Sequence, residues 1–148
     1  MRTLKLGQLM LPSDANPAGN VHGGVILKLI DTAAGVCGQR HCRGNVVTAS
    51  MDRVDFLQPV FIGDIVMIYA SLNYIGNTSM EVGVRVEAET PMTGEKRYIG
   101  STYLTVVSLD RESPPPKFVP ETPDEIRRFN EGKVRMESRK KDRIKKTP

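Results

Sequence analysis

The chain has 148 residues, the size of one ordinary domain, with 39% hydrophobic residues and no Trp. No apolar run approaches the roughly 18 residues that a bilayer span needs, and Cys37 and Cys42, five apart, fit neither a metal knuckle nor a redox CxxC. The net charge of +4 lies wholly in residues 110–148, with twelve Lys/Arg against eight Asp/Glu, while residues 1–109 balance nine against nine.

At the N-terminus, Arg2 and Lys5 flank no apolar run longer than Leu9-Met10-Leu11, too short for a signal-peptide core, so a cytoplasmic protein is expected. Thr3 to Met10 reads as a strand. A loop of turn formers follows (Asp14, Asn16, Pro17, Gly19, Asn20), and His22-Gly23-Gly24 opens a long apolar helix. Four further strands are expected over Val46 to Phe56, Asp64 to Tyr74, Ser79 to Ala88 and Tyr98 to Leu109. The third alternates most cleanly, setting Met80, Val82, Val84 and Val86 against Glu81, Gly83, Arg85 and Glu87. Turns at Gly76-Asn77 and Pro91 to Gly94 imply antiparallel hairpins. A sheet with one apolar face and one helix to cover it makes an α+β domain over residues 1–110, with edges that invite dimerisation.

Beyond it, Pro114-Pro115-Pro116 is a stiff spacer. Thr122-Pro123-Asp124-Glu125 reads as an N-cap, a first-turn Pro and two first-turn acids. Ile126 and Phe129 anchor one or two turns, Gly132 interrupts, and the Lys/Arg run that follows reads as a solvated tail dispensable for catalysis. Residues 111–148 are thus expected to be a spacer, a short helix and a basic tail.

The helix carries the candidate chemistry. Turned by about 100° per residue, it places Val25, Ile26, Leu29, Ile30, Ala33, Val36 and Cys37 on an apolar arc, and Lys28, Thr32 and Gln39 opposite. Asp31 falls on the flank between them, beside Leu27, Ala34, Gly35 and Gly38. A mid-helix Gly costs about 1 kcal/mol relative to Ala, so two beside one carboxylate suggest the wall of a slot. At the helix start, Gly23 and Gly24 leave N–H donors open to a polar oxygen, which makes an oxyanion hole. The plainer alternatives are a salt bridge from Asp31 to Lys28, tight helix–sheet packing at the glycines, and a capping role for His22.

At DANPAGNVHGGVILKLIDTAAG the sequence resembles the acyl-CoA thioesterases of the hotdog fold, in the branch of bacterial short-chain acyl-CoA hydrolases and cytosolic acyl-CoA hydrolases of animals. The resemblance runs on through NVVTASMDRVDFLQPVFIGDIV and YIGNTSMEVGVRVEAE. It implies a five-stranded antiparallel sheet wrapped around the central helix, dimers with a continuous sheet, and trimers of such dimers. It also implies a site between subunits, with Asp31 as general base or nucleophile and Asn16 supplied by the partner subunit. Gly23 and Gly24 would serve the oxyanion. His22, Asn77, Thr78, Ser79 and Arg53 would contact substrate, and Arg85, Lys96 and the basic tail are further candidates for the 3′-phosphate of coenzyme A. The substrate is then acyl-CoA, with no cofactor, metal, membrane or nucleic-acid partner expected. The competing functions are a hotdog hydratase or dehydratase pairing His22 with Asp31, and a non-catalytic acyl-CoA or nucleic-acid binder.

Overall fold

The computed structural model describes residues 2–146. Five strands, β1 (Thr3–Leu9), β2 (Val46–Met51), β3 (Ile65–Ile75), β4 (Ser79–Thr90) and β5 (Glu95–Ser108), form one antiparallel sheet in the order β1-β3-β4-β5-β2. The helix α1 (Gly23–Cys42) lies in its concave face. The order follows from the short connections. Consecutive β3, β4 and β5 pair as hairpins, while the loop and helix between β1 and β2 place these two on opposite edges.

Period-two alternation aims Val66, Ile68, Ala70 and Leu72 of β3, and Met80, Val82, Val84 and Val86 of β4, at the helix. They meet Ile26, Ile30, Ala33, Ala34 and Cys37 of α1, all buried. Gly38 stands where the helix presses closest. A Cβ there would lie 3.1 Å from Val106 Cγ1 and 3.4 Å from Met80 Cε, so this glycine serves packing. Gly35 has nothing within 4 Å of its Cβ position and faces open space. The glycine pair therefore divides between the two roles the sequence allowed.

Strand β2 is shorter than expected. Its register shifts between Thr48 and Ser50, and pairing stops at Met51. The chain then follows β5 irregularly: Asp52 N–H donates to Tyr103 O, Leu57 N–H to Ile99 O, and Gly100 makes room for the Asp55 carbonyl.

The C-terminal segment corrects the sequence reading more deeply. The spacer passes the end of α1, where His41 Nε2 lies 2.6 Å from Pro116 O, and Lys117 donates to Gly76 O on β3's far end. Thr122 caps the next helix by accepting the Glu125 N–H, as its sequence implied. That helix, α2 (Pro123–Lys146), is 24 residues long and absorbs the expected tail. Gly132 does not break it. A Cβ there would sit 3.1 Å from both Glu81 Oε1 and Tyr74 Cβ, because Gly132 is where α2 rests on the outer face of the sheet.

Beneath α2, Glu81 is 0% exposed and fully paired: Asn73 Nδ2 donates at 3.0 Å, Arg135 NH2 at 2.7 Å and Arg139 NH1 at 2.9 Å. Arg139 also grips Asp52 through two bonds of 3.1 and 2.7 Å, and Arg135 lies 3.7 Å above the Tyr103 ring. Arg139, the first charge of the run read as solvated, thus answers the buried Glu81 and the half-buried Asp52, and Arg135 ahead of that run answers Glu81 as well. Arg135 and Arg139 titrate above the ordinary guanidinium range; burial opposes this, but their carboxylate partners outweigh it.

Candidate active site

Asp31 sits near the middle of α1 with an exposed side chain. Its Oδ1 accepts a 2.6 Å hydrogen bond from the Thr48 hydroxyl, which the edge strand β2 brings to the helix flank. The salt bridge to Lys28 is not formed, and among the described residues Asp31 has no ion-pair partner. A cleft of about 490 Å³ opens beside it, lined by Gly35, Val36, Gln39, Val46, Val47 and Thr48. One carboxylate oxygen is therefore oriented by Thr48, the other has no hydrogen-bond partner among the described residues, and Asp31 itself lines the cleft.

Asn16 lies in the loop before α1. Its Oδ1 accepts from both the Ala18 and the Asn20 N–H groups, at 3.0 and 3.1 Å. Two donors facing one atom fix the amide's orientation, and its NH2 has no acceptor among the described residues. Asn16 lines a small cavity of about 150 Å³ together with Gly23, Phe56 and Val60, separate from the cleft of Asp31. Within one protomer the two candidates do not share a cavity.

The helix mouth differs from expectation at one atom. His22 is the N-cap, and its Nδ1 accepts the Gly24 N–H at 2.8 Å. Gly24 is thus already satisfied, whereas the Gly23 N–H has no hydrogen-bond partner among the described residues. The imidazole carries its proton on Nε2 in this arrangement.

The more distant candidates separate. Asn77, Thr78 and Ser79 line a groove under the end of α2, on the other side of β2 from Asp31. Arg53 is exposed, pairs with Asp55 at 3.1 Å and is not among that groove's walls. Arg85 pairs with Glu87 and stacks on Tyr98. Thr48 is the residue that sequence reasoning missed; only the sheet's edge order brings it to the acid seventeen positions away.

A family model of the thioesterase superfamily matches residues 18–95. The chain belongs to the thioesterase superfamily. Within this superfamily, it is 40% identical over 134 residues to the acyl-CoA thioester hydrolase YkhA of Bacillus subtilis, covering 88% of this chain and 78% of that one. It is 43% identical over 132 residues to the cytosolic acyl coenzyme A thioester hydrolase of Rattus norvegicus, covering 86% of this chain but 35% of the longer rat protein.

Solved superfamily members carry the same fold. An apo-hexameric acyl-CoA thioesterase superposes with a TM-score of 0.87 at 36% identity, over 95% of this chain and 92% of its own. The Staphylococcus aureus acyl-CoA hydrolase, solved with butyryl coenzyme A and coenzyme A, gives 0.84 at 34%, over 97% and 89%. That enzyme has also been solved with alanine replacing an asparagine, an aspartate and a threonine at its positions 28, 43 and 60.

Proposed function

We propose that this thioesterase-superfamily enzyme hydrolyses acyl-CoA to a carboxylic acid and free coenzyme A, with Asp31 as its acid and Asn16 of a partner subunit completing each site. The observation that carries the proposal is the Asp31 carboxylate, exposed to a cleft, unpaired by any cation and oriented by Thr48. The three alanine positions of the Staphylococcus aureus enzyme each stand twelve places beyond Asn16, Asp31 and Thr48. A residue trio with the same chemistry and the same spacing supports these roles here.

In the proposed reaction, the free oxygen of Asp31 takes a proton from water as the water attacks the thioester carbonyl; alternatively it attacks directly and forms an anhydride that water then opens. The carbonyl oxygen gains negative charge. The unpartnered Gly23 N–H, at the positive end of α1, and the unengaged NH2 of Asn16 are the donors suited to receive it. The thiolate leaves without needing a strong acid, which suits a site with a single carboxylate. A hydratase would need an imidazole facing Asp31. His22 is occupied at Gly24 and His41 at Pro116, so that reading has no support.

Asn16 and Asp31 occupy different cavities of one protomer, so a complete site calls for two copies. The edge strand β2 is open, and Leu27, Val47, Phe56, Leu57 and Phe61 are exposed apolar side chains. We infer a homodimer through this side and a trimer of dimers above it, the total of six subunits matching the hexameric relative, and a cytoplasmic enzyme, in keeping with the rat relative's cytosolic name.

Complementation tests the shared site. Asn16→Ala and Asp31→Ala homodimers should each be inactive. Random co-assembly gives half heterodimers, each with one intact site, so about a quarter of wild-type activity should return. A mixture that stays inactive would show that each protomer builds its own site.

A further inference from the structure

Asp64 and Arg97 form a buried ion pair that the chemistry above does not use. The side chain of Asp64, at the turn before β3, is 4% exposed, and that of Arg97, on β5, is 11% exposed. Arg97 NH2 donates to Asp64 Oδ2, and its NH1 donates to the Thr90 hydroxyl at 3.0 Å. Neither residue lines the cleft of Asp31 or the cavity of Asn16. A buried ion pair adds little net stability over apolar residues of the same volume, so its use is to be sought in what Asp64 holds.

The same Oδ2 accepts the Phe61 N–H at 2.9 Å, and Asp64 N–H donates to Phe61 O at 3.0 Å, which together close the turn of residues 61–64. Gly63 supplies the left-handed φ of +90° within it. This turn grips both ends of the loop that carries Asn16. At the entrance, Met10 N–H donates to Asp64 O and Gly63 N–H to Met10 O, each at 2.8 Å. At the exit, Asn20 bridges to Phe61, and Val21 N–H donates to Val60 O at 2.8 Å. Asn20 in turn fixes Asn16: its N–H donates to Asn16 Oδ1 at 3.1 Å, and its O accepts the Asn16 N–H at 2.7 Å. A continuous series of contacts thus leads from Arg97 through Asp64, Phe61 and Asn20 to the Asn16 amide. Asp31 and Thr48 are set by α1 and β2, and none of these bonds reaches them.

Resting on the shared-site reading above, we propose that Asp64 and Arg97 are positioning residues for Asn16, serving the site of the neighbouring subunit and not that of their own chain. Displacing a stabilising group by about 1 Å costs up to roughly a hundredfold in rate, so a loosened turn is felt where Asn16 acts.

Mixed assemblies test this. Co-assembly of an Asn16→Ala chain with an Asp31→Ala chain leaves one working site, whose asparagine comes from the second chain. Arg97→Met placed in the Asp31→Ala chain should cut the restored thiol release on the order of tenfold, as a fall in kcat. The same substitution placed in the Asn16→Ala chain should leave it unchanged, whereas a merely structural role would weaken both assemblies alike. Arg97→Lys keeps the counter-charge and should recover turnover in the first placement. Equal loss in both placements, or loss in neither, overturns the proposal. If Arg97→Met does not fold, Asp64→Leu/Arg97→Met, which buries no lone charge, goes through the same two placements with the same expectation. The shared-site reading fails in another way: mixed chains with Arg97 intact would then regain no activity, and the proposal would fall with it.

Discussion

At the scale of single residues, the proposed chemistry rests on two oxygens and one nitrogen: the two carboxylate oxygens of Asp31 and the amide nitrogen of Asn16. Asp31→Ala should reduce kcat by at least ~10² in a thiol-release assay while circular dichroism stays native, because the side chain is exposed and supports no packing. Thr48→Val keeps the shape of the side chain and removes only the hydroxyl that orients Asp31. Losing one hydrogen bond to a charged group predicts a drop of about tenfold, smaller than that for Asp31. Asp31 was legible in the sequence because helical periodicity alone puts a carboxylate at 31 off both the apolar and the wet arc. Thr48 was not legible. Its neighbourhood depends on β2 being the edge strand beside the flank of α1, and no pattern within Val46–Met51 announces that. Gly24 was misjudged for a local reason: a histidine two positions upstream can fold its ring back onto the donor.

At the scale of elements, α2 separates what pattern reveals from what packing decides. Its start was plain from Thr122, Pro123 and two acids. Its length was hidden, since Gly132 and the charge run both resemble helix endings, and the acids that answer Arg135 and Arg139 lie 54 and 87 residues earlier in the chain. Glu81 shows the same limit from the other side. Alternation on β4 correctly turned it away from α1, yet the outer face is covered rather than wet. Glu81→Gln should destabilise the fold by about 3 kcal/mol or more in urea unfolding, because two guanidinium groups lose their shared counter-charge. The opposite end of α2 is tethered more weakly. The Glu121 N–H and the Arg2 guanidinium hold the Glu125 carboxyl below the usual carboxylate range. A folded-state pKa lowered in this way gives stabilisation that is complete above the ordinary glutamate value and lost as pH falls through the lowered one. Amide exchange in the first turn of α2 should therefore accelerate in acid before the sheet opens.

For the whole molecule, the sheet divides two tasks: its concave face holds the helix that bears Asp31, and its outer face is closed by α2. The C-terminal segment is thus part of the folded body and not a solvated tail. Removing residues 120–148 uncovers the bed of Met136 and Phe129 and should lower stability by about 3 kcal/mol or more, read as a fall in melting temperature. The sequence could not show this, because a single strand pattern does not say what lies over its second face. The separation of Asn16 and Asp31 into different cavities has one further consequence for how such an enzyme behaves in solution. If a working centre requires two chains, its abundance follows mass action, and specific activity must decline on dilution below the dissociation constant of the pair.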